Sequence, residues 1–375
     1  MLGTRGVPAH YGGFETAVEE IGRRLVERGH EVVVYCRDTG DEVAETYLGM
    51  ELVHLPAAHR KSLETLSHTA LSVSHLLARR RPCDAAFVFN AANAPFIPPL
   101  HARGVPVVVH VDGLEWQRDK WQGAGRRYYR VVEGLAVRWA DALIADAQGI
   151  ADYYADEFGA PTELITYGAP VQDEPGTARL AELDLRPRAY HLVVARFEPE
   201  NHVREIVMGY TRSASRHPLV VVGSAPYSNG YTAEVKELAD ADPRVRLLGG
   251  VWDQAQLDEL YANSLTYLHG HSVGGTNPSL LRAMGAGTAV LAYDVVFNRE
   301  TLGNRGWFFD RPATLAALLD EAEARPDTLA DAGRALRERA RRTYDWDDVA
   351  LRYEDLAQRV AAGESIRGRA TSSQS

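Results

Sequence analysis

The feature that most constrains this chain is the alternation of short apolar segments with longer amphipathic stretches along nearly its whole length. The short segments are rich in β-branched residues and apolar throughout, which is typical of parallel strands buried on both faces by helices. The strand candidates are Val32–Cys36, Ala85–Phe89, Val105–Val111 and Ala142–Ala145, then His191–Ala195, Leu219–Val222, Val245–Leu248, Leu265–Leu268 and Ala289–Ala292. Helix candidates include Phe14–Arg28, Leu63–Arg79 and Gln254–Ala262.

These candidates form two series, which predict two doubly wound domains, and a length of 375 residues suits two domains at roughly 100–200 residues each. We expect an N-terminal domain over 1–170, a linker rich in Pro, Gly and Glu over 171–187, and a second domain over 188–348. A helix over 349–362 and a polar tail over 363–375, which we expect to be disordered, complete the prediction.

The start of the first domain departs from this pattern. A Rossmann-like sheet needs an apolar strand before its first glycine loop, yet only Met1 and Leu2 precede Gly3. We therefore expect the first strand to be truncated, with the reading frame beginning further upstream.

Charge and cysteine content narrow the classes of function. A net charge of −10 and a pI near 5.7 exclude a general nucleic-acid binder. Lysine supplies only three of the 41 cationic residues, so phosphate contacts must come mainly from arginine and backbone amides. Cys36 and Cys83 fit no metal or redox spacing, and no signal-like or membrane-spanning apolar segment is visible. We expect a cytoplasmic protein.

A glycine-rich loop opens the first domain. Gly12 and Gly13 lead into an amphipathic helix, where small residues allow close backbone approach and the helix start offers free amides to an anion. Arg5 is placed to add a bidentate phosphate contact. The alternative is a turn without any ligand.

Polar side chains also follow the strand candidate that ends near residue 111. His110 and Asp112 point to one face of a strand whose carboxyl end is where ligands bind in this class, and Glu115 follows. His110, Asp112 and Glu115 are our catalytic candidates. A polar loop without a chemical role is the alternative, and Trp116 suits the core as well as a sugar platform.

The second domain offers two further anion-binding segments. Arg196 follows a strand, and the run Gly274, Gly275, Thr276, Asn277 before a proline is a helix start with a polar cap, which suits a diphosphate. His269 and His271 are only two ligands at a spacing unusual for zinc, so we expect no metal site.

The segments GTRGVPAHYGGFET at 3–16 and GGTNPSLLRAMGAG at 274–287 resemble glycosyltransferase family 4, in its bacterial rhamnosyltransferase-like subgroup. The likeness extends more weakly to about residue 355. It implies an α/β GT-B fold, two Rossmann-like doubly wound parallel-sheet domains facing across a cleft. It also implies a retaining, metal-independent transferase without a cofactor, whose substrates are a nucleotide-diphosphate sugar, with dTDP-rhamnose favoured, and a polysaccharide or lipid-linked saccharide acceptor.

The resemblance also implies roles for individual residues. Arg5, Gly12, Gly13, Arg196 and the loop of Gly274, Gly275, Thr276 and Asn277 would contact the donor diphosphate, and Ser279 and Arg282 the nucleoside. DGLEW at 112–116 is similar to the subgroup and makes Asp112 and Glu115 contacts for the sugar or acceptor.

Three positions depart from the family pattern. Asn201 stands where the family has a lysine, and Gly274 and Arg282 stand where it has two glutamates. A guanidinium cannot accept hydrogen bonds from ribose hydroxyls, although it can stack on a base or contact phosphate.

Several interpretations stay open. A sugar-nucleotide epimerase shares the two-domain architecture, and a non-catalytic sugar-nucleotide-binding protein would tolerate the departures at Asn201 and Arg282. The helix candidate Lys61–Arg81 ends in three arginines that suit a helix C-terminus, and the alternative is a peripheral contact with the inner membrane face.

Overall fold

A computed structural model describes most of the chain. The described residues are 1–9, 12–38, 40, 44–58, 63–80, 83–111, 114–118, 123–173, 176–223 and 229–365. They divide into two compact units: the first joins Met1–Tyr167 to the C-terminal segment from Trp346, and the second is Gly168–Asp345.

Thirteen strands and thirteen α-helices are seen in the described residues, together with short 3₁₀ turns. The strands are β1 Val33–Arg37, β2 Thr46–Tyr47, β3 Met50–Leu55, β4 Ala86–Phe89, β5 Val107–His110, β6 Ala142–Ala145, β7 Glu163–Leu164, β8 His191–Val194, β9 Leu219–Val222, β10 Val245–Gly249, β11 Thr266–His269, β12 Ala289–Tyr293 and β13 Trp307–Phe309. The helices are α1 Gly13–Glu27, α2 Glu64–Ala78, α3 Ile97–Ala102, α4 Ala124–Trp139, α5 Gln148–Phe158, α6 Val203–Thr211, α7 Asn229–Asp240, α8 Gln254–Asn263, α9 Pro278–Gly285, α10 Val296–Leu302, α11 Pro312–Ala324, α12 Pro326–Thr343 and α13 Trp346–Ala361. None of them is long and apolar enough to cross a membrane.

The first unit contains a parallel sheet β4-β5-β6-β7 and a smaller sheet β1-β3-β2 in which only β2 is antiparallel. Residues 1 and 2 lie between them. Leu2 forms a parallel bridge with Val88, and the Met1 carbonyl accepts from the amide of Tyr35 at 3.1 Å. Met1 and Leu2 therefore occupy the position where the sequence predicts a shortened first strand.

The last helix, α13, belongs to the first unit. Its buried residues recur every three to four positions and form one apolar stripe. Tyr353 in this stripe packs against Phe87 of β4, with ring centroids 5.0 Å apart. The sequence predicts this helix at 349–362, and the observed helix begins three residues earlier, at Trp346.

The second unit is a single parallel sheet in the order β10-β9-β8-β11-β12-β13. Its core is formed by apolar strand residues and by α6 and α11, which cover one face. β8 and β11 are neighbours, so the strand order reverses between them, and ligands of doubly wound folds bind at this edge. The segments after β8 and β11 are the ones in which the sequence predicts diphosphate contacts.

The predicted α/β class with two doubly wound parallel sheets is confirmed. Most predicted strands agree with the observed ones to within one or two residues. Sequence analysis missed β3 and the short edge strands β2, β7 and β13. Part of the segment 171–187 also packs on the second unit, since it contains a 3₁₀ turn, Ala178–Leu183, in which Leu180 is buried.

Candidate active site

The loops that follow β8 and β11 are joined by hydrogen bonds at the carboxyl edge of the second unit. The amide of Ser272 donates to the Glu200 carbonyl at 3.0 Å, and its hydroxyl donates to the same oxygen at 3.1 Å. His202 donates from Nδ1 to the Gly270 carbonyl at 2.8 Å and stacks on Tyr293 at 3.9 Å. The two predicted diphosphate-binding segments therefore form one continuous surface.

Gly270 permits this close approach. A Cβ at this position would collide with the backbone oxygen of Asn201. Because both partners are backbone, a side chain here would have to push the two loops apart.

Arg196 is half-buried in the loop after β8. Its carbonyl accepts from the side-chain amide of Asn201 at 2.9 Å, and Asn201 is 3% exposed. The residue found where the family has a lysine therefore stabilises the loop that carries Arg196. The role of Arg196 toward a diphosphate stays a prediction.

The start of α9 is held by a chain of hydrogen bonds from the core. Asn277 Oδ1 accepts from the Ser279 amide at 3.0 Å and from the Ser279 hydroxyl at 2.7 Å. The Ser279 hydroxyl in turn accepts from the buried Tyr267 hydroxyl at 3.0 Å. Since Oδ1 is engaged, the Asn277 amide group is oriented with Nδ2 available to donate to a ligand. Ser279, predicted to contact the nucleoside, has its hydroxyl engaged in orienting Asn277.

The three residues before Asn277 are partly or almost fully buried. Thr276 is 4% exposed, and Gly274 has a φ of +120°, a conformation that favours glycine. Gly275 is half-buried between them. The diphosphate role of these three residues stays a prediction.

Arg282 is bound within the unit. Its Nε donates to Asp258 Oδ1 at 2.7 Å and its guanidinium donates to Gln254 Oε1 at 2.8 Å, both on α8. The guanidinium also lies 5.9 Å from the centre of the Tyr261 ring. The nucleoside contact that the sequence predicts for Arg282 would have to use the part of its guanidinium that is not bound to α8.

His269 and His271 are stacked, with ring centroids 4.6 Å apart. His269 is fully buried, and its burial lowers its pKa to about 3, so the imidazole is neutral. In the part of the chain that the structure describes, no group of three or more His, Cys, Asp or Glu side chains is arranged to hold a metal ion.

In the first unit, two carboxylates of α1 hold the glycine-rich loop. Glu15 accepts from the Arg5 amide at 3.0 Å, and Glu19 accepts from the Ala9 amide at 2.6 Å. A Cβ on Gly12 would collide with the Glu15 carboxylate, and Gly12 has a φ of +127°. Gly12 is therefore required by the fold of the loop, whereas the diphosphate contacts predicted for Arg5, Gly12 and Gly13 stay predictions.

His110 ends β5 inside an aromatic enclosure. It is 1% exposed, and Phe14, Phe89 and Tyr167 have ring centroids 5.2 to 5.6 Å from its own. Its Nδ1 is 2.7 Å from the Tyr353 hydroxyl, and burial lowers its pKa to about 3. The neutral, enclosed ring suits positioning of the strand end, and the catalytic role stays a prediction.

Asp112, the second catalytic candidate, lies outside the described residues. Glu115 begins the 3₁₀ turn Glu115–Gln117, is 4% exposed, and pairs through Oε1 with Arg118 Nε at 2.6 Å. Trp116 packs under Arg130 of α4, whose guanidinium lies 5.0 Å from the ring centre. Glu115 and Trp116 therefore both have internal contacts.

Three buried carboxyl groups, Glu133, Asp146 and Glu200, escaped sequence analysis. Glu133 on α4 is 2% exposed, accepts from the Tyr153 hydroxyl at 3.0 Å, and has its pKa raised to about 7 by burial. It occupies the apolar stripe of α4, so an acid at a core-facing position was the available signal. Glu200, 7% exposed in the loop after β8, carried no such signal.

Each unit matches a known protein family. Residues 1–170 match the family described as "Domain of unknown function (DUF1972)". Residues 184–342 match "Glycosyl transferases group 1".

Two curated relatives share part of the sequence. O-antigen chain mannosyltransferase B of Escherichia coli is 25% identical over 135 residues, which span 35% of this chain and 35% of that protein. Alpha-maltose-1-phosphate synthase of Mycolicibacterium smegmatis is 26% identical over 289 residues, 69% of this chain and 74% of that protein.

Solved structures share the fold. Sucrose-phosphate synthase from Thermosynechococcus elongatus superposes with a TM-score of 0.80 at 20% identity, covering 94% of both chains. Anabaena HepE in complex with UDP-glucose superposes with a TM-score of 0.77 at 15% identity, covering 94% of this chain and 98% of that one.

Proposed function

We propose that this chain, whose residues 184–342 match the glycosyl transferases group 1 family, is a glycosyltransferase that transfers a sugar from a nucleotide-diphosphate donor to a saccharide with retention and without a metal. Rhamnose from dTDP-rhamnose is the favoured donor. The acceptor is a growing polysaccharide or a lipid-linked saccharide. As a cytoplasmic protein, the chain would bind this acceptor at the inner membrane face.

One observation carries this proposal. At the strand-order reversal of the second unit, the Arg196 loop and the start of α9 are joined by the Ser272–Glu200 hydrogen bonds, and Asn277 Nδ2 is available to donate. Backbone amides, a helix start and a guanidinium suit a diphosphate. The UDP-glucose complex of Anabaena HepE supports a nucleotide sugar as the donor.

Transfer of the sugar requires that the leaving diphosphate be stabilised. The bond from the anomeric carbon to the diphosphate breaks, the acceptor oxygen forms its bond on the same face, and the acceptor proton passes to the leaving phosphate. Arg196 and Asn277 would stabilise the charge that develops on the phosphate oxygens, a contribution of about 10²–10³ in rate for a single donor.

The departure at Arg282 bears on the donor's nucleoside. A site that accepts both ribose hydroxyls needs a carboxylate, and here a guanidinium bound to Asp258 stands in that position. A 2′-deoxyribose presents one hydroxyl fewer. The pattern therefore removes the advantage that a carboxylate would give a uridine donor, and it is compatible with the thymidine donor that the subgroup resemblance implies.

The first experiment incubates the purified chain with UDP-glucose, GDP-mannose and dTDP-rhamnose, with and without a lipid-linked saccharide acceptor. We expect nucleoside diphosphate to be released only with the acceptor, and NMR of the product to show the anomeric configuration of the donor. Conversion of a sugar nucleotide into an isomer without acceptor would identify an epimerase. Binding without turnover across acceptors would identify a non-catalytic binder.

A matched pair of variants tests the site. Arg196→Ala should lower kcat/KM by about 10²–10³ while thermal unfolding shows that the chain remains folded. Arg212→Ala changes an exposed arginine just after α6, outside the proposed site, and should keep wild-type kinetics. Wild-type kinetics in Arg196→Ala would refute the assignment of Arg196 to the diphosphate.

A further inference from the structure

Glu200 is a buried carboxylate at the ligand-binding edge of the second unit. It lies in the 3₁₀ turn Pro199–Asn201 directly after β8 and is 7% exposed. Its Oε2 has no hydrogen-bond partner among the described residues. Its own carbonyl accepts both donors of Ser272, so the residue lies against the loop that follows β11.

Other carboxylates at the same edge are engaged within the unit. Their partners are a helix start or an arginine, at hydrogen-bond distances of 2.5 to 3.1 Å. They are Asp253 with the amides of Ala255 and Gln256, Asp258 with Arg282, and Asp294 with Arg299. Glu200 Oε2 differs from these three groups in having no such partner among the described residues.

Burial of a carboxylate oxygen without a partner is costly, because that atom gives up its hydration and receives no hydrogen bond in return. Such a group in a native fold calls for a functional explanation, since selection for stability alone would replace it. An ionised carboxylate only accepts hydrogen bonds. A diphosphate brings negative charge and no donor, whereas a sugar brings several hydroxyl donors and no charge.

We propose that Glu200 accepts hydrogen bonds from hydroxyl groups of the transferred sugar and thereby determines which donor sugar is bound. This rests on the proposed function of the same site. Two binding functions then lie at one edge of the sheet. Arg196 and the start of α9 bind the diphosphate, and the turn between β8 and α6 recognises the sugar.

The test uses the full-length chain and three variants. Glu200→Gln keeps the shape and one acceptor oxygen but removes the charge, Glu200→Ala removes the group, and Glu237→Gln changes an exposed glutamate of α7 as the control. Calorimetry measures binding of UDP-glucose, GDP-mannose, dTDP-rhamnose and the matching nucleoside diphosphates. Thermal unfolding is measured without ligand.

For the sugar nucleotide that the wild type binds best, both Glu200 variants should bind about 10- to 100-fold more weakly, as expected for loss of hydrogen bonds to a charged group. The matching nucleoside diphosphate should bind within about threefold of wild type. The ligand-free unfolding midpoint of Glu200→Gln should not fall, because Oε2 has no hydrogen-bond partner to lose. Glu237→Gln should match the wild type in all three measurements.

Equal weakening of sugar nucleotide and nucleoside diphosphate would overturn the inference, since Glu200 would then only support the loop. Wild-type affinities in both Glu200 variants would also overturn it, and leave the proposed function standing. A wild-type chain that binds none of the sugar nucleotides overturns the proposed function and this inference together.

Discussion

Asn277 allows stability and ligand binding to be separated at one position. Its Oδ1 accepts from the amide and the hydroxyl of Ser279, so the residue caps α9, and its Nδ2 is available to donate. Asn277→Ala loses a cap, worth about 0.5–2 kcal/mol, and a hydroxyl hydrogen bond, worth about 0.5–1.5 kcal/mol. Together these predict a loss of about 1–3.5 kcal/mol in the free energy of unfolding.

Asn277→Asp should behave differently. An aspartate oxygen accepts the same two hydrogen bonds, and a negative charge at a helix start is favourable by about 0.3–1 kcal/mol. Stability should therefore stay the same or rise slightly. The donor Nδ2, however, is replaced by an anionic oxygen. Loss of a hydrogen bond to a charged phosphate, about 1.5–3 kcal/mol, predicts nucleoside diphosphate binding at least about 10-fold weaker.

The assay combines chemical denaturation with calorimetric titration of UDP, GDP and dTDP into wild type and both variants. Asn277→Ser is the control that retains a cap without an amide donor, and it should bind as weakly as alanine while staying close to wild type in stability. If Asn277→Asp binds the nucleoside diphosphate as tightly as the wild type, the side chain does not donate to phosphate and the reasoning is refuted.

Three further outcomes are expected. Gly270→Ala should lower the free energy of unfolding by about 1–3 kcal/mol, because its Cβ would collide with backbone atoms. Gly230→Ala in α7 places its Cβ in open space and should raise the thermal unfolding midpoint. Midpoints that shift in the same direction in both variants would contradict this. Because His110 and His269 have folded pKa values of about 3 against about 6.5 when unfolded, each contributes stability that is complete above pH 6.5 and is lost as the pH falls toward 3, at about 1.4 kcal/mol per pH unit. Denaturation at pH 7 and pH 5 should therefore show His110→Gln losing about 2 kcal/mol less than wild type, and equal acid sensitivity would argue against a neutral buried imidazole. Since Arg282 stands where a ribose-binding carboxylate is expected, dTDP and UDP should bind within about threefold of each other, and a preference for UDP above about 100-fold would refute that interpretation.

The sequence predicted the architecture well because its strands are apolar throughout and its helices are amphipathic. These are local patterns, and they are sufficient to place both predicted diphosphate-binding segments directly after strands. β3 escaped because Glu51 and His54 interrupt the continuous apolar run by which the other strands were recognised, and the edge strands β2, β7 and β13 are only two or three residues long.

Side-chain environments were less predictable, because they depend on partners far away in the chain. The enclosure of His110 needs Tyr353, which is 243 residues away, and the position of Arg282 depends on Asp258 of another helix. Nothing local to residue 200 distinguishes a buried glutamate from a solvated one. The resemblance to a family named residue roles, but it could not supply the contacts of residues that depart from the family pattern.

The return of α13 to the first unit has a consequence for synthesis of the chain. The polypeptide leaves that unit at Tyr167 and re-enters it at Trp346, so the first unit stays incomplete while the whole second unit is being made. At about 5–20 residues per second, on the order of 10–50 s separate the appearance of His110 from that of Tyr353 at the ribosome. During that interval Phe87 and His110 lack the helix that covers them, and a nascent chain stalled before residue 346 should be a substrate for chaperones.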